Sequence, residues 1–353
     1  MDVVQAPKKI QSKNYLKTGQ FPIIDQGQSD IVGYTDDKST LLPAGEYVLF
    51  GDHTLSIKYV DFKFAQGADG LKILRAKPNI STRYLYHCCL QFKIPSRGYS
   101  RHWTYMKEVK FPIPPLPVQE EIARILDTFT GLEAELEAEL EARKKQNEYY
   151  RARLLTLNKP TGFNHIDQLI KDLCPNGVTF KKLKDVCIIK KGTQLNKDKL
   201  KDEGAYPVIN GGISPSGYWD EFNFSANLIT ISQGGASAGF VNFIETPFWA
   251  GAHCYVISKW IDSIDYRYLY HFVKQQQKTF QQKKVGAGIP GLALKEVNEL
   301  LIPVPPLAVQ KEIVQVLDAF TELEAELEAE LAGRRKQYEY YRDKLLTFKE
   351  LKA

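Results

Sequence analysis

Two groups of cationic and amide side chains have the clearest binding chemistry in this sequence. Lysine and arginine suit phosphate oxygens and guanine edges, whereas glutamine and asparagine suit adenine. The first group surrounds an FPIID segment and continues into a basic, aromatic stretch: Lys13, Lys17, Gln26, Gln28, Tyr34, Arg97, Tyr99, Arg101 and His102. The second group holds comparable positions in the second half: Lys190, Lys191, Asn210, Tyr218, Gln233, Ser237, Lys283 and Lys284. Taken singly, each residue is explained at least as well as a solvated surface side chain, so the prediction of DNA contact applies to the loops.

Catalytic motifs are absent from the sequence. It contains neither the G-x-x-x-x-G-K-[ST] loop that holds nucleotide phosphates nor a G-x-G-x-x-G segment at the start of a helix. Pro-Pro pairs at 114–115 and 305–306 follow Ile113 and Val304, where an adenine methyltransferase needs Asp or Asn to hold the amino group. These absences disfavour a stand-alone nuclease or methyltransferase, and we expect no cofactor.

Histidine and cysteine could provide two further kinds of chemistry. His87 and His271 stand at matching positions of two RYLYH segments. This allows an acid–base interpretation, but partly buried helix positions with a bonded ring nitrogen explain the pair better. The five cysteines form no C-x-x-C pair and have no histidine at zinc-site spacing. We therefore expect reduced thiols and no metal at Cys88, Cys89, Cys174, Cys187 and Cys254.

An internal repeat organises the whole chain. Residues 112–157 and 303–348 are copies of one segment at a constant offset of 191, and 31 of their 46 positions are identical. Repeats of 20–50 residues indicate solenoids or propellers, but a single duplication at this distance indicates two whole modules. A protein built this way suits a target with two separated parts.

Each copy of the repeat predicts a long helix with an apolar stripe. Apolar residues recur at spacings of three and four, and about 40 residues of helix would extend roughly 60 Å. The obvious cover for each stripe is the other helix, in an antiparallel pair. We expect this interface, or that with partner proteins, to use Ile122, Leu126, Phe129, Leu132, Leu136, Leu140, Ile313, Leu317, Phe320, Leu323, Leu327 and Leu331.

Within the helices, the tetrapeptide LEAE recurs at 132–142 and 323–331. Such tracts are usually solvated helix, but each unit also adds about 6 Å of length. The number of units would therefore set the distance between the two domains.

The regions outside the helices are diverged copies as well. FPIID at 21–25 matches YPVIN at 206–210, and Gly67-Ala68 matches Gly251-Ala252. Strand-like runs such as EYVLF and NLITIS predict small twisted sheets in mixed α/β domains. Asp2-Val3 aligns with Asp185-Val186, so the first domain has no counterpart of residues 174–184. We expect a first domain at 1–111 that is short at its N-terminus, a helix at 112–157, a linker and second domain at 158–302, and a second helix at 303–353.

Composition and charge narrow the class of protein. The 353 residues are 43% hydrophobic and 25% charged, with a net charge of +5, and no apolar run is long enough to span a bilayer. We therefore expect a cytoplasmic protein. Lys and Arg outnumber Asp and Glu by 16 to 10 in residues 1–111 and by 17 to 13 in 158–302, whereas acidic residues predominate in both repeats. The positive balance thus falls on the parts that a polyanion would touch.

The motifs in the repeat resemble those of a known family. The string P-x-P-P-L-x-x-Q-x-x-I-x-x-x-L-D occurs at 112–127 and 303–318, with Y-Y-R behind it at 149–151 and 340–342. Both resemble the conserved regions of the specificity (S) subunits of type I restriction-modification enzymes. LCPNGV at 173–178, followed by KKL at 181–183, resembles the usual start of a target-recognition domain in that family.

This resemblance implies a fold and a function. The fold would be α/β, with two target-recognition domains joined by an antiparallel coiled coil of two long helices and related by a pseudo-two-fold axis. Each domain would read one half of a bipartite site in double-stranded DNA. The helices would set the spacer and dock two methyltransferase (M) subunits, and endonuclease/translocase (R) subunits would join the full complex. The chain itself would carry no catalytic activity.

A second interpretation stays open at this point. The chain could be a truncated or degenerate specificity-subunit copy that serves as a reservoir of domains and does not bind DNA specifically.

Overall fold

The computed structural model describes all residues except 68, 93, 96–97, 99, 158, 284–289 and 350–353. The chain forms two compact units. Unit 1 comprises Met1–Ala138 and Glu328–Ala353, and unit 2 comprises Glu139–Leu327. Two long helices, α3 (Leu116–Thr156) and α9 (Leu307–Leu345), contribute residues to both units.

Unit 1 contains two sheets and two short helices. Its strands are β1 (Asp2–Val4), β2 (Phe21–Ile24), β3 (Gly33–Thr35), β4 (Tyr47–Gly51), β5 (Ile57–Val60), β6 (Ala65–Gln66) and β7 (Leu71–Arg75). The helices are α1 (Thr82–Gln91) and α2 (Trp103–Met106). The larger sheet is antiparallel with the order β1-β7-β4-β5. In the smaller sheet, β2 pairs with β3 antiparallel and with β6 parallel.

Unit 2 repeats this topology and extends it. Its helices are α4 (Asn164–Leu173), α5 (Leu183–Val186), α6 (Tyr266–Gln275), α7 (Gln277–Gln282) and α8 (Leu294–Asn298). Its strands are β8 (Thr179–Lys182), β9 (Cys187–Lys191), β10 (Tyr206–Ile209), β11 (Tyr218–Trp219), β12 (Leu228–Ser232), β13 (Val241–Ile244), β14 (Trp249–Ala250), β15 (Cys254–Trp260) and β16 (Leu301–Val304). The order β13-β12-β15-β9 matches the larger sheet of unit 1, and β11-β10-β14 matches the smaller one. An additional antiparallel pair, β16-β8, occurs in this unit.

Alternation along the central strand explains the layered core of unit 1. All five positions of β4 are buried, as expected for a strand covered on both faces. Leu49 packs with Ile24 of the smaller sheet, whereas Val48 and Phe50 pack with Leu85 of helix α1. The larger sheet therefore lies between the helix and the smaller sheet, because successive side chains point to opposite faces.

The long helices pack antiparallel within each unit. In unit 1 the ring of Phe129 stacks on that of Tyr341, with centroids 5.4 Å apart. In unit 2 the ring of Tyr150 stacks on that of Phe320, with centroids 5.6 Å apart. Because the repeat offset is 191, these are the same contact with the roles of the two helices exchanged. The predicted α/β fold with an antiparallel helix pair is confirmed.

The glutamine of the repeat fixes the start of each long helix. Buried Gln119 accepts a hydrogen bond from Ser81 N (3.0 Å) and donates to the carbonyls of Asn79 (3.1 Å) and Pro114 (2.7 Å). Gln310 makes the equivalent three bonds in unit 2. Each glutamine therefore ties the first turn of a long helix to the N-terminus of α1 or α6.

Not every predicted interface residue is buried by the helix pair. Ile122, Leu126, Ile313 and Leu317 are buried, but Leu132 is 41% exposed. In the part of the chain that the structure describes, no helix is apolar and long enough to cross a membrane.

Candidate nucleic-acid interface

Four loops of unit 1 meet at one end of the two sheets, and we call residues 25–30, 52–56, 69–70 and 100–103 corner 1. Gln26 links three of its loops, because its Oε1 accepts from His53 N (3.1 Å) and its Nε2 donates to Asp69 O (3.2 Å). The fourth loop joins through Ser100 O, which lies 3.1 Å from His53 Nδ1. Residues far apart in sequence thus form one surface.

A partly buried lysine holds the first loop of corner 1 in place. Lys58 Nζ donates to the carbonyl oxygens of Asp25 (3.1 Å) and Ser29 (2.6 Å). Burial lowers the pKa of Lys58, against the opposing effect of Asp25 and Asp30. The loop is therefore ordered by the protein itself, which reduces the entropy cost of binding a ligand.

Unit 2 forms the equivalent corner from 210–213, 233–237, 251–253 and 290–292, which we call corner 2. His253 N donates to Asn210 Oδ1 (3.3 Å), and its carbonyl accepts from Gln233 N (2.8 Å). Gly235 N donates to Pro290 O (2.9 Å), which attaches the fourth segment. In both units the loops follow β2 or β10, follow β4 or β12, and connect β6 to β7 or β14 to β15.

The two corners differ at equivalent positions. Gln26 of corner 1 corresponds to Gly211 of corner 2, because FPIID and YPVIN align. Gly211 has a φ of +88°, and a Cβ there would lie 2.8 Å from His253 O. The same place therefore presents an amide side chain in unit 1 and bare backbone in unit 2.

The structure brings some of the unit 1 candidates to corner 1. Gln28 and Arg101 are exposed on its loops. Arg101 lines a polar cavity of about 350 Å³ with Lys9 and Asp69, and Lys13 lines a neighbouring one of about 450 Å³ with the same two residues. Lys17 and Tyr34 instead follow the β2–β3 hairpin, where Tyr34 N donates to Leu16 O.

Three other unit 1 candidates have different outcomes. His102 is fully buried, and its Nδ1 lies 2.9 Å from Asp52 O. Its placement among the DNA contacts is therefore corrected to a structural role in anchoring the fourth loop. Arg97 and Tyr99 lie outside the described residues.

In unit 2, the amide candidates meet at corner 2 and most of the lysines do not. Asn210 and Gln233 both bond to the backbone of His253, and Ser237 lies on the same loop as Gln233. Exposed Lys190 and Lys191 end strand β9, next to the loop that begins at Gly192. Lys283 pairs with Glu296 (2.7 Å), and Tyr218 lies on β11 at the position matching Tyr34. Lys284 lies outside the described residues.

Residues that our sequence reasoning missed complete both corners. Asp69 and His253 each come two positions after the matched glycines Gly67 and Gly251, so they are equivalent. Each connects two loops in its own unit. The matched glycines were the signal that could have identified them. Lys9 and Lys72, which line the polar cavity of unit 1, carried no comparable signal.

Most cations at these surfaces already have acidic partners. Lys9 pairs with Asp69, and Lys72 lies 3.9 Å from Asp52. No group of three or more metal-ligating side chains occurs within the described portion of the chain. The corners are arranged for hydrogen bonding and shape recognition.

The matched histidines lie away from the corners, in two copies of a buried cluster. His87 Nε2 lies 2.7 Å from Asp127 Oδ1, and Arg83 Nε bonds both oxygens of this carboxylate at 2.8 Å. His271 and Arg267 bond Asp318 in the same way, with His271 Nε2 2.7 Å from Asp318 Oδ1. Both rings are completely buried. The clusters therefore fasten α1 to α3 and α6 to α9.

Burial also determines the charge state of these clusters. It lowers the pKa of His87 and of His271 more than the neighbouring aspartates raise it. Partial burial raises the pKa of Asp318, but hydrogen bonds from His271 and Arg267 outweigh this and lower it to about 2. Neutral imidazoles thus donate from Nε2 to carboxylates. The interpretation of these histidines as bonded structural residues agrees with this geometry.

Comparison with known sequences follows from this geometry. The model of the family described as type I restriction modification DNA specificity domain matches residues 1–142 and 175–332. The specificity subunit of the Escherichia coli type I restriction enzyme EcoR124I/EcoR124II is 28% identical over 379 residues, covering 96% of this chain and 90% of that subunit. The putative type I specificity subunit S.MpnORF615P of Mycoplasma pneumoniae is 31% identical over 246 residues, covering 67% of this chain and 92% of its own length.

Solved structures share the fold. The crystal structure of the S subunit of a type I restriction-modification system from M. genitalium aligns with a TM-score of 0.72 at 18% identity, covering 99% of this chain and 94% of that one. A chain from a structure concerning complex assembly and conformational transition of the type I R-M system gives a TM-score of 0.53 at 17% identity, covering 98% and 95%. Motifs, topology and sequence agree: this chain belongs to the type I restriction-modification DNA specificity domain family.

Proposed function

We propose that this chain is the DNA-specificity subunit of a type I restriction-modification complex. Corner 1 and its surroundings read one half of a bipartite site in double-stranded DNA, and corner 2 reads the other. Loops that a rigid frame brings together are a common basis of recognition.

One observation carries this proposal: the same corner is built twice, on matched frames, with different side chains. Equivalent strands lead into equivalent loops, yet Gln26 and Asp69 of corner 1 are replaced by Gly211 and His253 in corner 2. Hydrogen-bonding groups on base edges are what distinguish one base pair from another. Two frames with unlike groups are therefore suited to two unlike half-sites.

The long helices complete the proposed function. Their acidic composition would repel DNA phosphates, so they serve better for protein contact than for DNA contact. Exposed apolar residues such as Leu132 suit the docking of two methyltransferase subunits, with endonuclease/translocase subunits joining them. The chemistry belongs to those partners, and the protein acts in the cytoplasm.

A domain exchange tests the division of labour. Residues 1–111 are replaced by the matching domain of a relative, the chain is co-expressed with its methyltransferase, and methylated adenines are mapped across the genome. We expect one half of the methylated motif to change while the other half and the spacer stay the same. The reciprocal exchange of 178–302 is the control and should change the opposite half. A change in both halves from one exchange would contradict the proposal.

A second experiment tests the spacer. Deleting one LEAE unit from each helix removes about 6 Å, close to the rise of two base pairs at about 3.4 Å each. We expect unchanged half-sites separated by a spacer that is one or two base pairs shorter. An active complex with an unchanged spacer would show that the helices do not set this distance.

A further inference from the structure

One segment of unit 2 covers an apolar surface and completes a sheet. Strand β8 pairs antiparallel with β16, from Leu301↔Lys182 to Val304↔Thr179. Helix α4, which precedes β8, places Ile166 in the same core cluster as Leu155 and Val309. The ring of Phe163 packs 5.1 Å from that of Tyr150. We call residues 163–186 the cover segment.

The matching place in unit 1 is a groove. The counterpart of β16 is Lys110–Ile113, which pairs with no strand within the part of unit 1 that the structure describes. Beside it lies an open groove of about 1030 Å³, lined by Phe92, Phe111, Ile113, Leu346 and Phe348 among others. The described part of unit 1 has no counterpart of α4, β8 or α5.

Exposure at equivalent positions shows that the surface is built to be covered. Val118 is 42% exposed, whereas its counterpart Val309 is fully buried. Ile113 is 63% exposed, whereas Val304 is partly buried beside β8. The apolar residues are thus kept in unit 1 although the cover segment is absent from that place. Apolar side chains beside an unpaired backbone edge are features of a site for an added strand.

We propose that this groove binds an amphipathic helix followed by an extended strand, with the chemistry of the cover segment, supplied by a second polypeptide. The helix packs on Val118 and Leu346 in the way that α4 packs in unit 2. The strand adds to the edge at Lys110–Ile113. Unit 1 is therefore completed by a partner chain.

A second copy of this chain is a poor donor. Its own cover segment contributes Leu183 and Val186, both fully buried, to the core of unit 2. Withdrawing the segment would expose these side chains and break the β8–β16 pairing. A separate polypeptide of this chemistry has no such loss, so we commit to it.

The probe for this proposal is a fluorescent synthetic peptide with the sequence of residues 163–186, carrying Cys174→Ser to prevent disulfide formation. It is titrated into the full chain, and its anisotropy is measured. We expect saturable binding at one site, weakened at least tenfold in the Ile113→Asp and Val118→Asp variants. Ile188→Asp is the matched control, because Ile188 is 51% exposed on β9 of unit 2. A peptide with Ile166→Asp should not bind.

Amide hydrogen exchange then locates the bound peptide. We expect slower exchange at Lys110, Phe111 and Ile113 when the peptide is present, with melting curves showing that the variants stay folded. Absence of saturable binding, or equal binding by all variants, would overturn the proposal. So would protection at 301–304 instead, since that would mean exchange with the resident segment. Self-association of the chain that Ile113→Asp abolishes would identify a second copy as the occupant and would also overturn it.

Discussion

Unit 1 and unit 2 repeat the contacts of their frames and differ in what surrounds them. Gln119 and Gln310 make the same three hydrogen bonds, and Asp127 and Asp318 hold the same histidine and arginine. The loops of the corners share their positions but not their side chains. The comparison teaches that contacts between α1 or α6 and the long helices define the module, while the corners can vary.

The frames also differ at one buried position. Tyr338 OH lies 3.5 Å from His87 Nδ1 in unit 1. The repeat places Asn147 at the corresponding position of unit 2, where it donates to Glu324 instead. Asn147 Oδ1, Arg151 Nε and His271 Nδ1 are buried there without a hydrogen-bond partner among the described residues. The polar cluster of unit 2 is therefore the less satisfied of the two.

The largest difference between the units is expected from charges placed on the helix stripe. Leu327 is 8% exposed in unit 2, whereas Leu136 of unit 1 is only partly buried. Leu327→Asp should lower the free energy of unfolding by on the order of 3 kcal/mol, and Leu136→Asp by less, because the cost of a charge grows with its burial. Urea unfolding and size-exclusion chromatography with the methyltransferase measure both effects. Unchanged assembly in both variants would contradict the predicted interface.

A smaller effect is expected from the aspartate clusters. Asp318→Asn should cost about 2 kcal/mol at pH 7, since a carboxylate that binds Arg267 and His271 is lost. Asp127→Asn should cost less, because His87 keeps the neighbouring Tyr338 hydroxyl. Glu135→Gln, on an exposed position of α3, is the control. Equal losses in the two units would remove the distinction drawn between the clusters.

The same cluster predicts a pH dependence. The pKa of Asp318 in the folded chain is about 2, below its ordinary value of 3.8, so its carboxylate contributes stability above about pH 4. That contribution is lost as the pH falls through 2. The lowered pKa of His271 acts earlier, because the unfolded chain binds a proton more readily as the pH falls below 6.5. Thermal melting between pH 7 and pH 2 should show a flatter acid limb for Asp318→Asn than for the parent chain.

The smallest predicted effect concerns the tyrosine that distinguishes the units. Tyr338→Phe should lower the free energy of unfolding by about 0.5–1 kcal/mol, because it removes the hydroxyl beside His87 Nδ1. Tyr340→Phe is the matched control, since Tyr340 is 60% exposed. Equal unfolding midpoints for the two variants would show that the hydroxyl does not stabilise unit 1.

The sequence predicted the helices well because their signals are local. Prolines mark the start of each long helix, and the apolar spacing identifies the buried residues Ile122 and Ile313. The corners were harder, because Gln26, His53 and Asp69 meet only after three strands have paired. His102 was misplaced for a related reason. Its neighbours Arg101 and Tyr99 suggested an exposed basic loop, but its burial depends on Asp52, 50 residues away.

The paired cations of the corners have a consequence for how binding should respond to salt. Affinity for DNA falls with salt in proportion to the number of phosphates that a protein neutralises, through the release of counterions. Lys9, Lys72 and Lys283 are already engaged with Asp69, Asp52 and Glu296, and Lys58 is engaged with backbone carbonyls. These side chains would have to leave one partner to gain another. We therefore expect this chain alone to have a shallow salt dependence relative to its lysine content, so that most of the ionic attraction in the full complex comes from its partners.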